Sequence, residues 1–165
     1  MDFAKLDALL ENSREDMIRT LRGWIAIPSV SARSDAAGAP FGAECRRALD
    51  LALADAKAMG FSVRDFDGYA GDITLEAGEK TLGMLCHLDV VPAGDGWTKQ
   101  PFGGEIEAGK IYGRGTMDDK GPAVAALYAM KAVRDAGIPL KDSVRLILGC
   151  DEETGMSDMR YYAAH

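Results

Sequence analysis

Long apolar runs are missing from this chain: no stretch approaches the roughly 20 residues that a membrane-spanning helix needs. Also missing is the pattern of a secretory signal, since Met1 to Arg22 mixes Asp, Glu, Lys and Arg with Leu and has neither an apolar core nor a small-residue cleavage site. None of the 19 Lys and Arg forms a run, and the formal net charge is -7. Phosphate binding needs clustered cations, so a nucleic-acid partner is not expected. Cysteine is scarce and odd in number. Cys45, Cys86 and Cys150 lie far apart, two of them inside apolar strand-like runs, which reads as buried reduced thiols rather than a disulfide framework. A reducing cytoplasm suits such a chain. There is no internal repeat or low-complexity tract, and 47% hydrophobic with 27% charged residues suits one folded domain.

What is present is an alternation of helical and strand-like segments. Ser13 to Asp16 resembles an N-cap with an acidic first turn, and Met17, Ile18, Leu21, Trp24 and Ile25 then recur at helical spacing as far as Pro28. Ser29 to Gly42 reads as a loop, and a second helix is expected from about Glu44 to Met59, stopped by Gly60. Strands follow at Phe61 to Phe66, Asp72 to Ala77 and Thr81 to Cys86, the last reading as a central strand. A loop from Gly94 to Gly104 leads into a hairpin over Glu105 to Tyr112. Pro122 opens a third helix that Gly137 closes, and Val144 to Leu148 is a second buried strand. Strand, helix, strand implies a right-handed crossover. The expected fold is α/β, with a mixed, mainly parallel sheet flanked by helices and sites at the carboxyl ends of strands.

Three acid-rich knots sit where those strands end or that helix begins: His87-Leu88-Asp89, Asp118-Asp119-Lys120 and Asp151-Glu152-Glu153. Each has a plain reading and a chemical one. His87 and Asp89, two apart, point to the same side of an extended chain, as a metal-bound imidazole and its orienting carboxylate would, or they form an ordinary strand-end turn. Asp118 and Asp119 precede a helix, where acids favour the macrodipole, and one of them has the oxygens to bridge two metal ions. Glu152 and Glu153 diverge, which suits one ligand and one general base, or a solvated turn. Three such knots at one sheet edge would gather oxygen and nitrogen ligands of the kind zinc takes.

The strings His87-Leu88-Asp89-Val90-Val91-Pro92, Gly94-Asp95-Gly96-Trp97 with Pro101-Phe102, Tyr112-Gly113-Arg114-Gly115 with Asp118-Asp119-Lys120-Gly121, and Glu152-Glu153-Thr154 resemble the dizinc aminoacylase and carboxypeptidase family. The bacterial dipeptidase V branch is the most similar, and Ile27-Pro28-Ser29-Val30 and Ala39-Pro40-Phe41-Gly42 match it too. The resemblance implies that His87 binds one zinc, Asp118 bridges two and Glu153 binds the second. It implies Glu152 as general base, Asp89 as the group orienting His87, and a cis peptide between Asp118 and Asp119. Dipeptides would be the substrates, or N-acyl amino acids as in sister branches, with Co²⁺ or Mn²⁺ as substitute metals.

The chain departs from that pattern in one respect. The family has a second zinc-bound histidine far downstream, a further aspartate beyond the glutamate pair and an inserted lid domain; here the second of two histidines is His165, which does not match. The chain is therefore expected to be the amino-terminal part of a longer zinc-dependent dipeptidase, 1–165, with weak or single metal binding and little activity of its own. A fragment that only folds, or that self-associates through exposed sheet edges, is the reading from a different class. Cys86 and Cys150 are expected to pack rather than ligate, Trp97 to pack the loop behind the site, and Lys120 to lie near the site or in solvent.

Overall fold

The computed structural model describes residues 3–165; Met1 and Asp2, where the charged amino-terminal stretch begins, lie outside the described residues. In chain order the elements are α1 (Phe3–Asn12), α2 (Arg14–Ile25), α3 (Ala43–Ala58), β1 (Ser62–Phe66), β2 (Ala70–Leu75), β3 (Thr81–His87), β4 (Glu105–Glu107), β5 (Lys110–Tyr112), α4 (Lys120–Asp135), β6 (Ser143–Gly149) and α5 (Ser157–Ala164). Four strands form one sheet in the order β1-β2-β6-β3, and β4 and β5 form the expected hairpin. β3 and β6 run parallel, joined through α4, in a register from Thr81 opposite Ser143 to His87 opposite Gly149. β2 pairs antiparallel with β6, and β1 antiparallel with β2. The sheet is mixed and flanked by helices, as the alternation of patterns implies.

β3 is not the central strand expected of its apolar run; β6 is. β3 occupies the edge, and Leu82 and Leu85 on it are 63% and 55% exposed. The six uncharged residues from Thr81 to Cys86 read as central because sequence shows what a strand can bury, not what lies beside it.

The helical faces follow the spacing of their apolar residues. Ala48, Leu49, Ala52, Leu53 and Ala56 of α3 are all buried. They press on β2 so closely that a methyl group at Gly71 would stand 2.9 Å from Leu53 and 3.0 Å from Leu49. α2 contributes Trp24, 1% exposed, whose indole donates to Asp55 at 2.8 Å. Ser13 does not cap α2 through its side chain; its N–H bonds back to the carbonyls of Leu9 and Leu10, so α1 leads almost directly into α2. α1 itself buries no residue, and Lys5 ties it to the carbonyl of Ala136 at 2.7 Å.

Lys120 is not solvated. It is fully buried at the start of α4, and its ammonium donates to the carbonyls of Trp24 and Ile27 at 2.9 and 2.7 Å, closing the carboxyl end of α2. Burial pushes its pKa down to about 8, with the Asp89 carboxylate among the groups opposing the shift. Lys120→Ala removes both hydrogen bonds and leaves a void, so its urea midpoint should fall by the equivalent of roughly 3 kcal/mol or more. Lys120→Met, which fills the void but leaves the carbonyls unpaired, should recover part of that loss. Equal stability of wild type and Lys120→Ala would show that the buried ammonium supports nothing.

Candidate metal centre

Because β3 and β6 are parallel and end level, the residues just beyond them emerge side by side. The N–H of Leu88 continues the pairing to the carbonyl of Gly149 at 2.8 Å, and Val90 N–H is held by Ser29 at 3.0 Å. α4 starts at the same edge, bringing Asp118 and Asp119 to the strand ends. One oxygen each from Asp118 and Glu153 and a ring nitrogen of His87 all lie within 4.8 Å of one another. The structure thus brings together His87, Asp118 and Glu153, with Glu152 beside them: its Oε2 is 3.8 Å from His87 Nε2. An open cleft of about 270 Å³ adjoins the group, lined by His87, Asp118, Asp119 and Glu152 and, on its apolar side, by Leu85 and Met156.

His87 is held at both nitrogens. Nδ1 lies 3.0 Å from the backbone carbonyl of Asp89 and 3.4 Å from its carboxylate, while Nε2 lies 3.0 Å from Asp118 Oδ1. A proton on Nδ1, donated to Asp89, leaves Nε2 free to act as a ligand toward the cleft. Burial works against charge on the ring, but the Asp89 and Asp118 oxygens outweigh it and raise the pKa to about 9. Burial and the neighbouring Asp118 charge push the Glu153 carboxyl up from the usual range. Like charges this close disfavour each other's ionisation. Asp119 does a different job from Asp118: its Oδ2 accepts the backbone N–H of His87 at 3.2 Å, and the peptide between the two aspartates is cis.

Asp89 is fully buried and reaches further than His87. Its two oxygens accept the N–H groups of Glu152 and Glu153 at 3.2 and 3.0 Å, so one carboxylate joins the end of β3 to the turn after β6. Sequence reasoning gave Asp151 of the third knot no role of its own and missed Asp158. Asp151 closes its own turn, taking hydrogen bonds from Ser31 at 3.1 Å, from the Ser157 N–H and hydroxyl at 3.0 and 2.6 Å, and from Thr154. Burial disfavours its charge, but these donors prevail and hold its pKa down. Asp158, at the start of α5, lines the cleft and is buried. Nothing in the string Ser157-Asp158-Met159 separated it from a solvated first-turn acid. Burial raises the thiols of Cys86, to about 12, and of the fully buried Cys150, and neither joins the ligand group. Trp97 folds back on its own loop, donating to Ala93 at 2.7 Å beneath the Arg114 guanidinium. His165 lies apart, stacked on Tyr161.

The model of peptidase family M20/M25/M40 matches residues 83–165, the stretch that carries all three knots. The chain belongs to this peptidase family. YtjP of Bacillus subtilis (strain 168) is 44% identical over 153 residues, which are 92% of this chain and 33% of that protein. The Beta-Ala-Xaa dipeptidase of Lactobacillus delbrueckii subsp. lactis is 41% identical over 159 residues, 95% of this chain and 34% of that one. Human carnosine dipeptidase 1 superposes with a TM-score of 0.82 at 27% identity, over 97% of this chain and 37% of its own. The chain thus spans about a third of the length of the curated relatives it matches. Among the described residues no helix is long and apolar enough to cross a membrane. The group formed by His87, Asp118 and Glu153 lies wholly within the residues that the family model matches.

Asp89→Asn tests the joint between the two strand ends. The amide keeps one acceptor oxygen but turns an NH₂ toward a backbone N–H, so hydrogen exchange across 150–154 should accelerate, and zinc affinity should fall about tenfold or more. Unchanged exchange and affinity would reduce Asp89 to a bystander.

Proposed function

We propose that the protein to which this chain contributes is a zinc-dependent dipeptidase, and that these residues form the amino-terminal part of its catalytic domain with most of the metal cradle. The observation that carries this reading is the meeting of His87, Asp118 and Glu153 within 4.8 Å, with a further carboxylate, Glu152, alongside. One imidazole and two carboxylates fit zinc's preference for mixed nitrogen and oxygen donors, and three protein ligands leave a position open. Two ions sharing three ligands would each be short of partners, so the chain by itself would hold about one. The dipeptidase named among the relatives, from Lactobacillus delbrueckii, favours a dipeptide over an N-acyl amino acid. The buried free thiols Cys45 and Cys150 support a reducing compartment such as the cytoplasm.

In this reading His87 Nε2 and the carboxylates of Asp118 and Glu153 are the ligands. Held by these residues, zinc would supply Lewis-acid chemistry, polarising the scissile carbonyl and lowering the pKa of water toward neutrality. Glu152 is the proton carrier: its half-exposed carboxylate takes the proton that the attacking water loses and returns it to the amine released as the C–N bond breaks. Asp89 holds His87 at Nδ1 and the Glu152–Glu153 turn at its amides, keeping base and ligands in one arrangement.

The reading is tested by zinc content after dialysis and by hydrolysis in the protein carrying this chain. About one zinc per chain should be retained by the isolated chain and lost in Asp118→Ala. Dipeptide hydrolysis by the whole protein should stop on chelation, return with zinc, cobalt or manganese, and exceed hydrolysis of N-acyl amino acids. Glu152→Gln should keep its zinc while turnover drops by roughly 10²–10⁴. Full activity in the presence of a strong chelator would overturn the proposal.

A further inference from the structure

Four consecutive backbone amides beyond β6 are gripped by two buried carboxylates. The N–H groups of Cys150 and Asp151 both donate to Asp158 Oδ2, at 2.7 and 2.9 Å, and the next two, of Glu152 and Glu153, donate to Asp89 Oδ1 and Oδ2. Both acids are 0% exposed. They approach from opposite directions in the chain, Asp89 from the loop after β3 and Asp158 from α5. Asp158 Oδ1 is fastened in turn by the N–H of Met159 at 2.7 Å. Space for the Asp158 carboxylate exists because position 149 is glycine, where a methyl group would collide with Asp158 Oδ2.

We propose that Asp158 is a positioning residue for the Glu152–Glu153 pair: by fixing the two amides upstream of the pair, it sets where the proposed base and ligand stand relative to His87 and Asp118. The inference rests on the dipeptidase reading. Asp158 acts through the turn, since its oxygens are not among the ligand atoms grouped with His87. Burying a carboxylate costs more than burying an apolar residue of its size, and an apolar residue would serve if α5 needed only packing. The carboxylate is used on amides one and two residues before the base. Without it those two N–H groups, in a buried segment, would reorient to find other acceptors. The reorientation would pass straight to Glu152, whose amide Asp89 holds alone.

The test uses the whole protein carrying this chain, loaded with zinc or with cobalt as a spectroscopic probe. Asp158→Asn is expected to stay folded by near-ultraviolet circular dichroism, to bind zinc about tenfold or more weakly, and to show an altered visible cobalt spectrum. Its kcat should fall by a larger factor than KM rises, because the substrate's own contacts are untouched. Folded Asp158→Asn with wild-type zinc affinity, cobalt spectrum and kcat would overturn the inference, even if its melting temperature were lower. Should the variant fail to fold, hydrogen exchange on the wild-type protein decides. Protection of the Cys150 and Asp151 amides on a par with β6 supports the clamp, and exchange as fast as an exposed turn overturns it. Failure of the dipeptidase reading looks different: there the wild-type protein itself binds no zinc and cleaves no dipeptide.

Discussion

The parallel pairing of β3 with β6 is the constraint on which the site depends. With His87 opposite Gly149, the two strands stop level, and the acids that follow each strand are delivered to one edge. A slip of one residue would send every side chain of β3 to the other face and take His87 away from the glutamates. The same pairing bears on the remaining knot, Asp118-Asp119-Lys120. A helix that crosses from the carboxyl end of one strand to the amino end of its parallel neighbour has to start at the edge where the first strand ended. Asp118 and Asp119, just before α4, therefore arrive beside His87 by connection geometry alone.

Gathering so many acids at one edge carries an electrostatic cost, and the structure divides them by burial. Asp89, Asp151 and Asp158 are buried, and their oxygens are occupied by backbone N–H and hydroxyl donors. Hydrogen bonds of that kind stabilise the charged form of a carboxylate without a cation. Asp118 and Glu152, with side chains 73% and 46% exposed, have no such donors in place and face the cleft with the partly buried Glu153. The buried set builds the backbone frame, and the exposed set is the one proposed for chemistry. Lys120 follows the same rule with opposite sign, since its buried ammonium is matched by two helix-end carbonyls.

Much of this was legible in the sequence where a period or a spacing carries it. The apolar residues of α3 and α4 recur at helical spacing, and each helix begins and ends within about two residues of its expected limits. The three knots were visible because each follows an apolar run or a glycine turn. β2 was read two residues late, starting at Asp72, because Ala70 and Gly71 have no strand-like side chains. They belong to the strand because Leu49 and Leu53 of α3 need a flat surface to lie on. α1 was missed although Phe3, Leu6, Leu9 and Leu10 stand at helical spacing, because its mixture of charged residues with Leu was weighed only against a secretory signal. The clamp made by Asp89 was out of reach for a different reason. A carboxylate that accepts backbone N–H groups 63 residues away, as Asp89 does from Glu152, leaves no trace in local sequence.

The edge position of β3 links the fold to the metal site. A strand paired on one side only frays more readily than one paired on both, and within this chain β3 is such a strand, with Leu82 and Leu85 exposed on it. Yet its last residue is His87, the one imidazole of the proposed ligand set. An ion held by His87, Asp118 and Glu153 would tie the end of β3 to the start of α4 and to the turn after β6, adding to the Asp89 bonds to the Glu152 and Glu153 amides and to the Asp119 bond to the His87 amide. Metal binding and retention of the edge strand are then one equilibrium seen from two sides: ordering β3 assembles the ligands, and the bound ion opposes its fraying.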